Sequence, residues 1–127
     1  MYIVKTTIKP SKIHGMGCFL EEPVKKGQTI WIFDPRFDML FHPDEVEKMD
    51  EPIKELIKLY GYLDTLQFKG WYVFPTGNDR FTNHSENPNL ITIKLGKCQY
   101  TMVASKDMKK GEELTCDYNE YEDRMKR

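Results

Sequence analysis

The segment Arg80-Phe81-Thr82-Asn83-His84-Ser85-Glu86-Asn87-Pro88-Asn89 concentrates the hydrogen-bonding chemistry of the chain. Adjacent Asn83 and His84 carry donors and acceptors on side chain and backbone alike. Pro88 fixes its own φ and turns Asn87 away from helix, so the segment bends before the apolar run Leu90-Ile91-Thr92-Ile93. A polar elbow between apolar anchors suits a small-molecule site better than a packed core. Two further stretches join it. Gly15-Met16-Gly17 precedes Cys18-Phe19-Leu20 and offers backbone that a ligand can approach closely. Gly111-Glu112-Glu113-Leu114-Thr115-Cys116-Asp117-Tyr118 ends on a phenol beside a carboxylate. Alone, a Gly-x-Gly is an ordinary turn and Tyr118 a half-buried strand-end tyrosine. Together the three stretches point to a site.

In this order the three motifs resemble the SET-domain family of S-adenosylmethionine-dependent protein lysine methyltransferases. The family pattern is Gly-x-Gly, then Arg-Phe-x-Asn-His-Ser-x-x-Pro-Asn, then Gly-Glu-Glu-Leu-x-x-Asp-Tyr. The resemblance runs from about Tyr2 to Tyr118. It implies a mostly β, SET-type (β-clip-like) domain of several short-stranded sheets, with a C-terminal pseudoknot and one helical insert. It also implies transfer of a methyl group from S-adenosylmethionine to a lysine of a protein or peptide substrate. Backbone around Gly15, Met16, Gly17, Asn83 and His84 would seat the cofactor, together with Tyr118. The pseudoknot would bring Asn83 and His84 to Tyr118 across the sequence. Tyr118 would be the catalytic residue, its hydroxyl orienting methyl and amine. An unperturbed phenol, with a pKa of about 10, is a poor base at neutral pH, so the role is orienting and electrostatic.

Such a displacement needs a neutral amine, and a free lysine has a pKa of about 10.4. A dry channel and a neighbouring sulfonium both disfavour the ammonium. Aromatic walls exclude water and still accept an alkylammonium face. Holding amine, methyl and sulfur in line supplies roughly 7–11 kcal/mol at best.

His84 has no metal role in this reading, because His14 and His42 do not form a ligand-spaced cluster with it. It is expected to hydrogen-bond structurally, with its backbone at the cofactor. Arg80 and Asp117 are read as bracing residues. No metal site is expected.

The chain departs from the family pattern in two places. Glu86 stands where many members have a cysteine. Many members also carry a cysteine-rich, zinc-binding segment after the last tyrosine, which completes one wall of the lysine channel; Asn119 to Arg127 contains no cysteine. Three ways to complete the wall are open: Tyr121 and the tail, a second subunit in a homodimer, or an incompletely closed site of weak activity. The alternative function is a non-catalytic SET-fold domain that binds a peptide or protein partner.

The elements that must position these motifs follow from composition and pattern. The 127 residues are the length of one domain, read as 1–127. The net charge of −1 gives no global basic field, so direct nucleic-acid binding is not expected. Cys18, Cys98 and Cys116 are widely spaced and none forms a Cys-x-x-Cys pair, which fits a reducing compartment. Cys18 and Cys116 are read as buried. The longest apolar run, Ile30-Trp31-Ile32-Phe33, is too short to cross a bilayer, and no targeting signal is seen. A soluble, intracellular, cytoplasmic protein is expected.

Tyr2 to Ile8 reads as a strand ended by Lys9-Pro10, and Ile13 to Gly17 as a loop. Further strands are read at Cys18 to Leu20, Gln28 to Phe33, Leu90 to Leu95, Cys98 to Ala104 and Leu114 to Cys116. Val24-Lys25-Lys26-Gly27 is echoed by Met108-Lys109-Lys110-Gly111, one corner used twice. A helical insert occupies about 42–61, with starts at His42-Pro43 and Asp50 and a stop at Gly61. Ile53, Leu56, Ile57 and Tyr60 give its amphipathic stripe. Its many acids are read as a solvated face, with attraction of a basic substrate as the alternative. Tyr62, Phe68, Trp71, Tyr72 and Phe74 are read as mostly core, one or two of them lining a channel, with a hairpin turn at Lys69-Gly70. The charged tail, 119–127, is expected to be a frayed helix or disordered.

Overall fold

The computed structural model describes residues 1–123. Among them are ten short strands and two α-helices. The strands are β1 (Thr6–Pro10), β2 (Met16–Leu20), β3 (Thr29–Trp31), β4 (Asp38–Phe41), β5 (Tyr62–Leu63), β6 (Tyr72–Pro75), β7 (Asn83–His84), β8 (Leu90–Leu95), β9 (Gln99–Ala104) and β10 (Thr115–Cys116). Helices α1 (Pro43–Glu47) and α2 (Glu51–Tyr60) lie between β4 and β5. The strands form four small sheets: β1-β2, β3-β9-β8, β4-β6-β5 and the parallel pair β10-β7. This is the mostly β, SET-type arrangement with one helical insert that the motifs imply. No helix among the described residues is long and apolar enough to cross a membrane.

Leu20, Ile30, Leu90 and Leu114 are fully buried and form the main core with Cys18, Val24, Met108 and Cys116. The two echoed corners pair with each other. Val24 N donates to Met108 O at 3.0 Å and Met108 N to Val24 O at 2.9 Å. Each corner closes on a glycine in the left-handed region, Gly27 at φ 84° and Gly111 at φ 94°.

The C-terminal motif is gripped from both sides. Leu114 N donates to Cys18 O at 2.8 Å, and β10 runs parallel to β7 with Thr115 opposite Asn83. Asn89 then clasps the same strand: its Nδ2 donates to Glu113 O at 2.8 Å, and its Oδ1 accepts from Thr115 N at 2.8 Å. Residues 83–89 thus hold the incoming strand at both of their ends, which is the pseudoknot crossing.

Several elements differ from expectation. The first strand begins at Thr6 and runs through Pro10, whereas Tyr2 makes only a bridge to Trp31. The chain changes partner here: Ile3 N donates to Ile30 O, and only from Thr6 does it pair with β2. Pro10 is tolerated because it ends an edge strand, where no N–H is required. Met16 and Gly17 belong to β2 rather than to a loop, and only Gly15 is left-handed, at φ 46°. Strand β4 was not anticipated, because it opens on Asp38, a carboxylate that is 3% exposed and accepts from Asp34 N at 2.8 Å.

In the insert, His42 caps α1 in a reciprocal box with Glu45. Helix α2 packs through Ile57 onto Val46, Leu63 and Tyr72, while Ile53 and Leu56 of the same stripe stay exposed at 49% and 47%. Gly61 follows α2 with an extended φ of −86°, not a left-handed one. A β-carbon there would sit 2.5 Å from Ile57 O and 3.0 Å from Val73 O, so close approach is the reason for glycine. Lys54 and Lys58 reach Glu47, and Lys54 also reaches Glu51 at 2.9 Å, as on a solvated helix face. The tail is ordered further than expected. Thr65 N donates to Tyr121 O at 2.9 Å and Asp123 N to Leu63 O at 2.8 Å, so residues 121–123 lie along β5. The rest of the tail lies outside the described residues.

Candidate active site

Strand β7 sorts the elbow into two faces, because successive side chains in a strand point to opposite sides. Asn83 is buried and faces the β1–β2 turn. Its Nδ2 lies 3.1 Å from His14 O, 3.2 Å from Met16 O and 2.9 Å from Glu113 Oε2. The side chain therefore pins the Gly15–Gly17 segment to the elbow. His84 turns the other way. Its Nδ1 accepts from Tyr118 N at 3.1 Å, and the two rings lie 5.2 Å apart. With Nδ1 an acceptor, the ring proton sits on Nε2, and Asp117 Oδ1 at 3.6 Å makes no hydrogen bond to Nδ1. Asp117 instead caps the following turn by accepting from Asn119 N at 3.0 Å. His84 thus has the structural hydrogen-bonding role read from its motif.

Tyr118 follows β10 and opens a 3₁₀ turn over Tyr118–Glu120. Its hydroxyl donates to the carbonyl of Thr82, and the Thr82 hydroxyl pairs with that of Tyr2. Tyr118 and Thr82 stand in the wall of a cleft of about 890 Å³, its mouth included. Trp31, Tyr62, Phe68, Tyr100 and Tyr121 line the same cleft. Their rings brace one another: Tyr62 lies 4.8 Å from Tyr121, and Tyr121 lies 6.2 Å from Tyr118. Burial raises the phenol pKa values of Tyr62 and Tyr121 well above the usual range, so both keep their protons.

Carboxylates stand among the rings. Asp79 accepts from Trp31 Nε1 at 2.9 Å, while Asp64 and Glu122 form a bridge across β5 and the tail. Burial raises the Asp64 pKa, opposed by backbone N–H donors, chiefly that of Phe68. An aromatic-walled cleft with hydroxyls and carboxylates among its rings suits an alkylammonium chain.

The structure separates the residues named from sequence into two groups. Gly15, Met16, Gly17, Asn83 and His84 gather around the β1–β2 turn and the elbow, outside the cleft. Tyr118 lies between that cluster and the cleft. Of the middle aromatics, Tyr62 and Phe68 line the cleft while Trp71, Tyr72 and Phe74 do not. Arg80 stacks over Phe81 at 4.9 Å and Tyr60 at 5.7 Å, a bracing contact at the cleft rim. Ser11, Thr82 and Glu113 were not singled out by sequence. Glu113 stood in the open inside the third motif; Ser11 and Thr82 carry no pattern of their own.

A family model, the SET domain, matches residues 15–119. The chain belongs to the SET domain family. Solved structures repeat its fold. A chain of the apo Polycomb Repressive Complex 2 of Chaetomium thermophilum, in an autoinhibited state, superposes with a TM-score of 0.72 at 21% identity, over 97% of this chain and 16% of that one. The same complex bound to S-adenosylmethionine gives 0.70 at 21% identity, again over 97% and 16%. A proposed histone methyltransferase of Plasmodium falciparum gives 0.59 at 22% identity, over 91% of this chain and 93% of that one. This SET domain thus spans only about one sixth of the Polycomb chains it matches. No curated protein sequence matches it.

The thiols of this SET domain give a direct check on its packing. Cys18 and Cys116 are buried, and burial pushes both up to about 12, which rules out a thiolate nucleophile at neutral pH. Cys98 is exposed in the β8–β9 turn. A chromogenic thiol reagent at pH 8 is expected to label one cysteine quickly and the other two only in denaturant. Fast labelling of all three in the native protein would contradict the packing of β2 and β10.

Proposed function

We propose that this chain transfers a methyl group from S-adenosylmethionine to the side chain of a lysine in a protein substrate. The observation that carries the reading is the position of Tyr118. Its hydroxyl is fixed on Thr82 O at the inner wall of an aromatic cleft, beside the cluster of Gly15, Asn83 and His84.

Gly15, Met16, Gly17, Asn83 and His84, with Tyr118, would hold S-adenosylmethionine, which when bound supplies an electrophilic sulfonium methyl. The turn fits such a group. A β-carbon at Gly15 would meet no atom within 4 Å, so that face is open, and Met16 is 43% exposed. Asn83 spends its side chain on holding the turn, which leaves backbone to make the contact.

On the other side, the rings of Trp31, Tyr62 and Tyr121 exclude water from a lysine stem. The drier interior between them favours the neutral amine. Tyr118 donates its O–H to Thr82 O, which fixes the orientation of the phenol oxygen at the cleft wall, so toward a bound amine that oxygen acts as an acceptor. It can therefore hold an N–H of the amine and align its lone pair. Of the three ways to close the channel, Tyr121 and the tail are favoured. Tyr121 O accepts from Thr65 N, and its hydroxyl lies 3.3 Å from Cys116 Sγ, so a wall comes from the chain itself.

Calorimetric titration of S-adenosylhomocysteine, followed by transfer of labelled methyl to a panel of basic proteins, tests the proposal. Binding at one site per chain and label on lysine are expected. Binding without transfer to any member of the panel would favour the non-catalytic, partner-binding reading.

A further inference from the structure

We infer that Glu113 is a positioning residue that fixes the turn seating the cofactor, acting through Asn83 and the Gly15–Gly17 segment. The inference rests on the methyl-transfer reading and deepens it. Glu113 sits where three parts of the chain cross. Its backbone bridges Phe19 on β2, and its carbonyl accepts from Asn89 Nδ2 at 2.8 Å. Its carboxylate accepts from Ser11 Oγ at 2.8 Å and 2.9 Å, and from Asn83 Nδ2 at 2.9 Å.

Ser11 passes that anchor into the turn. Its N–H donates to Gly15 O at 2.8 Å, and its Oγ accepts from Ile13 N at 2.9 Å. Gly17 closes the arrangement, because a β-carbon there would run into the Glu113 carboxylate. Such a clash is cheap when the neighbouring side chain can swing away. Here the carboxylate is tied to two partners on different elements, so glycine is the residue that fits.

Charge explains why a carboxylate is used. The Asn83 amide has two hydrogens and three acceptors in range: His14 O, Met16 O and Glu113 Oε2. The ionised acceptor makes the stronger bond and so sets the amide plane. Once that plane is set, the second hydrogen falls to the carbonyls of the turn. Glu113 does not line the cleft, so it acts on the reacting groups only through these neighbours.

The test compares wild type with Glu113→Ala, Glu113→Gln and Ser11→Ala. The readouts are S-adenosylhomocysteine titration, thermal melting and amide hydrogen exchange over residues 11–17. Glu113→Ala is expected to weaken binding by about tenfold or more, with faster exchange at Ile13 and Met16. Glu113→Gln should fall between Glu113→Ala and wild type, since its oxygen still accepts from Asn83 and its amide can donate to Ser11 Oγ, but without the carboxylate's charge. In turnover assays the KM for the cofactor should rise in Glu113→Ala while kcat at saturation holds. Wild-type affinity and unchanged exchange in a folded Glu113→Ala protein would overturn the inference. If that variant does not fold, Ser11→Ala decides: faster exchange at Ile13 with weaker binding supports the inference, and no change in either sinks it. If wild type itself binds no S-adenosylhomocysteine, the methyl-transfer reading fails at its seat. The exchange data then still decide whether Glu113 holds the turn.

Discussion

Tyr118→Phe is expected to lower methyl transfer by about 10²-fold at saturating cofactor, the scale of losing one preorganised polar group at a reacting centre. Affinity for S-adenosylhomocysteine should stay within about threefold of wild type, because the Tyr118 ring remains and the rest of the seat is untouched. The substitution removes the hydroxyl that donates to Thr82 O and leaves the ring against His84 and Tyr121. It therefore takes away an oriented oxygen and little packing. Turnover and binding must be measured on the same preparation. Loss of cofactor affinity with normal turnover at saturation would reverse the assignment and make Tyr118 part of the seat alone.

The prominence of Tyr118 was legible because a motif carries it and because the side chain acts at short range within that motif. Its partner was not. Thr82 is an unremarked threonine 36 residues away, and only the parallel β7–β10 pair brings its carbonyl to the phenol. The aromatic cleft was half legible for the same reason. A run of rings announces apolar surface, but the direction in which each ring points depends on a register that pattern does not encode. Tyr62 and Phe68 face the cleft, whereas Tyr72, equally aromatic, packs beneath α2.

The misreadings share a cause: local pattern was overridden by a contact made at long range. The stripe on α2 has helical period, yet only Ile57 is deeply buried: it packs in a small second cluster with Val46, Leu63 and Tyr72, while Ile53 and Leu56 stay exposed. The tail is charged enough to read as disordered, yet Glu122 is 6% exposed and Asp123 N donates to Leu63 O. Gly61 does stop α2, as read, but its need for glycine was not legible: a β-carbon there would meet Ile57 O at 2.5 Å and Val73 O at 3.0 Å. Paired corners such as Val24 with Met108 succeed for the opposite reason. Each corner closes on its own left-handed glycine, a local feature that its pattern carries.

Asn83→Ala should separate the two halves of the site from the other direction. The variant deletes an amide that contacts His14 O, Met16 O and Glu113 Oε2, and Asn83 is 8% exposed. Leaving such acceptors without their donor in a half-buried place costs about 1–3 kcal/mol. That loss should appear as a lower denaturant midpoint with an unchanged slope. Cofactor affinity should fall by about tenfold or more, because the Gly15–Gly17 turn loses its tether to β7. Turnover at saturating cofactor should change far less than in Tyr118→Phe, since the phenol and its bond to Thr82 O are untouched. A variant that is destabilised but binds the cofactor normally would mean that Asn83 braces the pseudoknot and nothing more. A variant that binds poorly without destabilisation would mean that the side chain itself meets the cofactor. The expected result lies between these: both effects together, with turnover spared, as a tether that shapes a backbone seat requires.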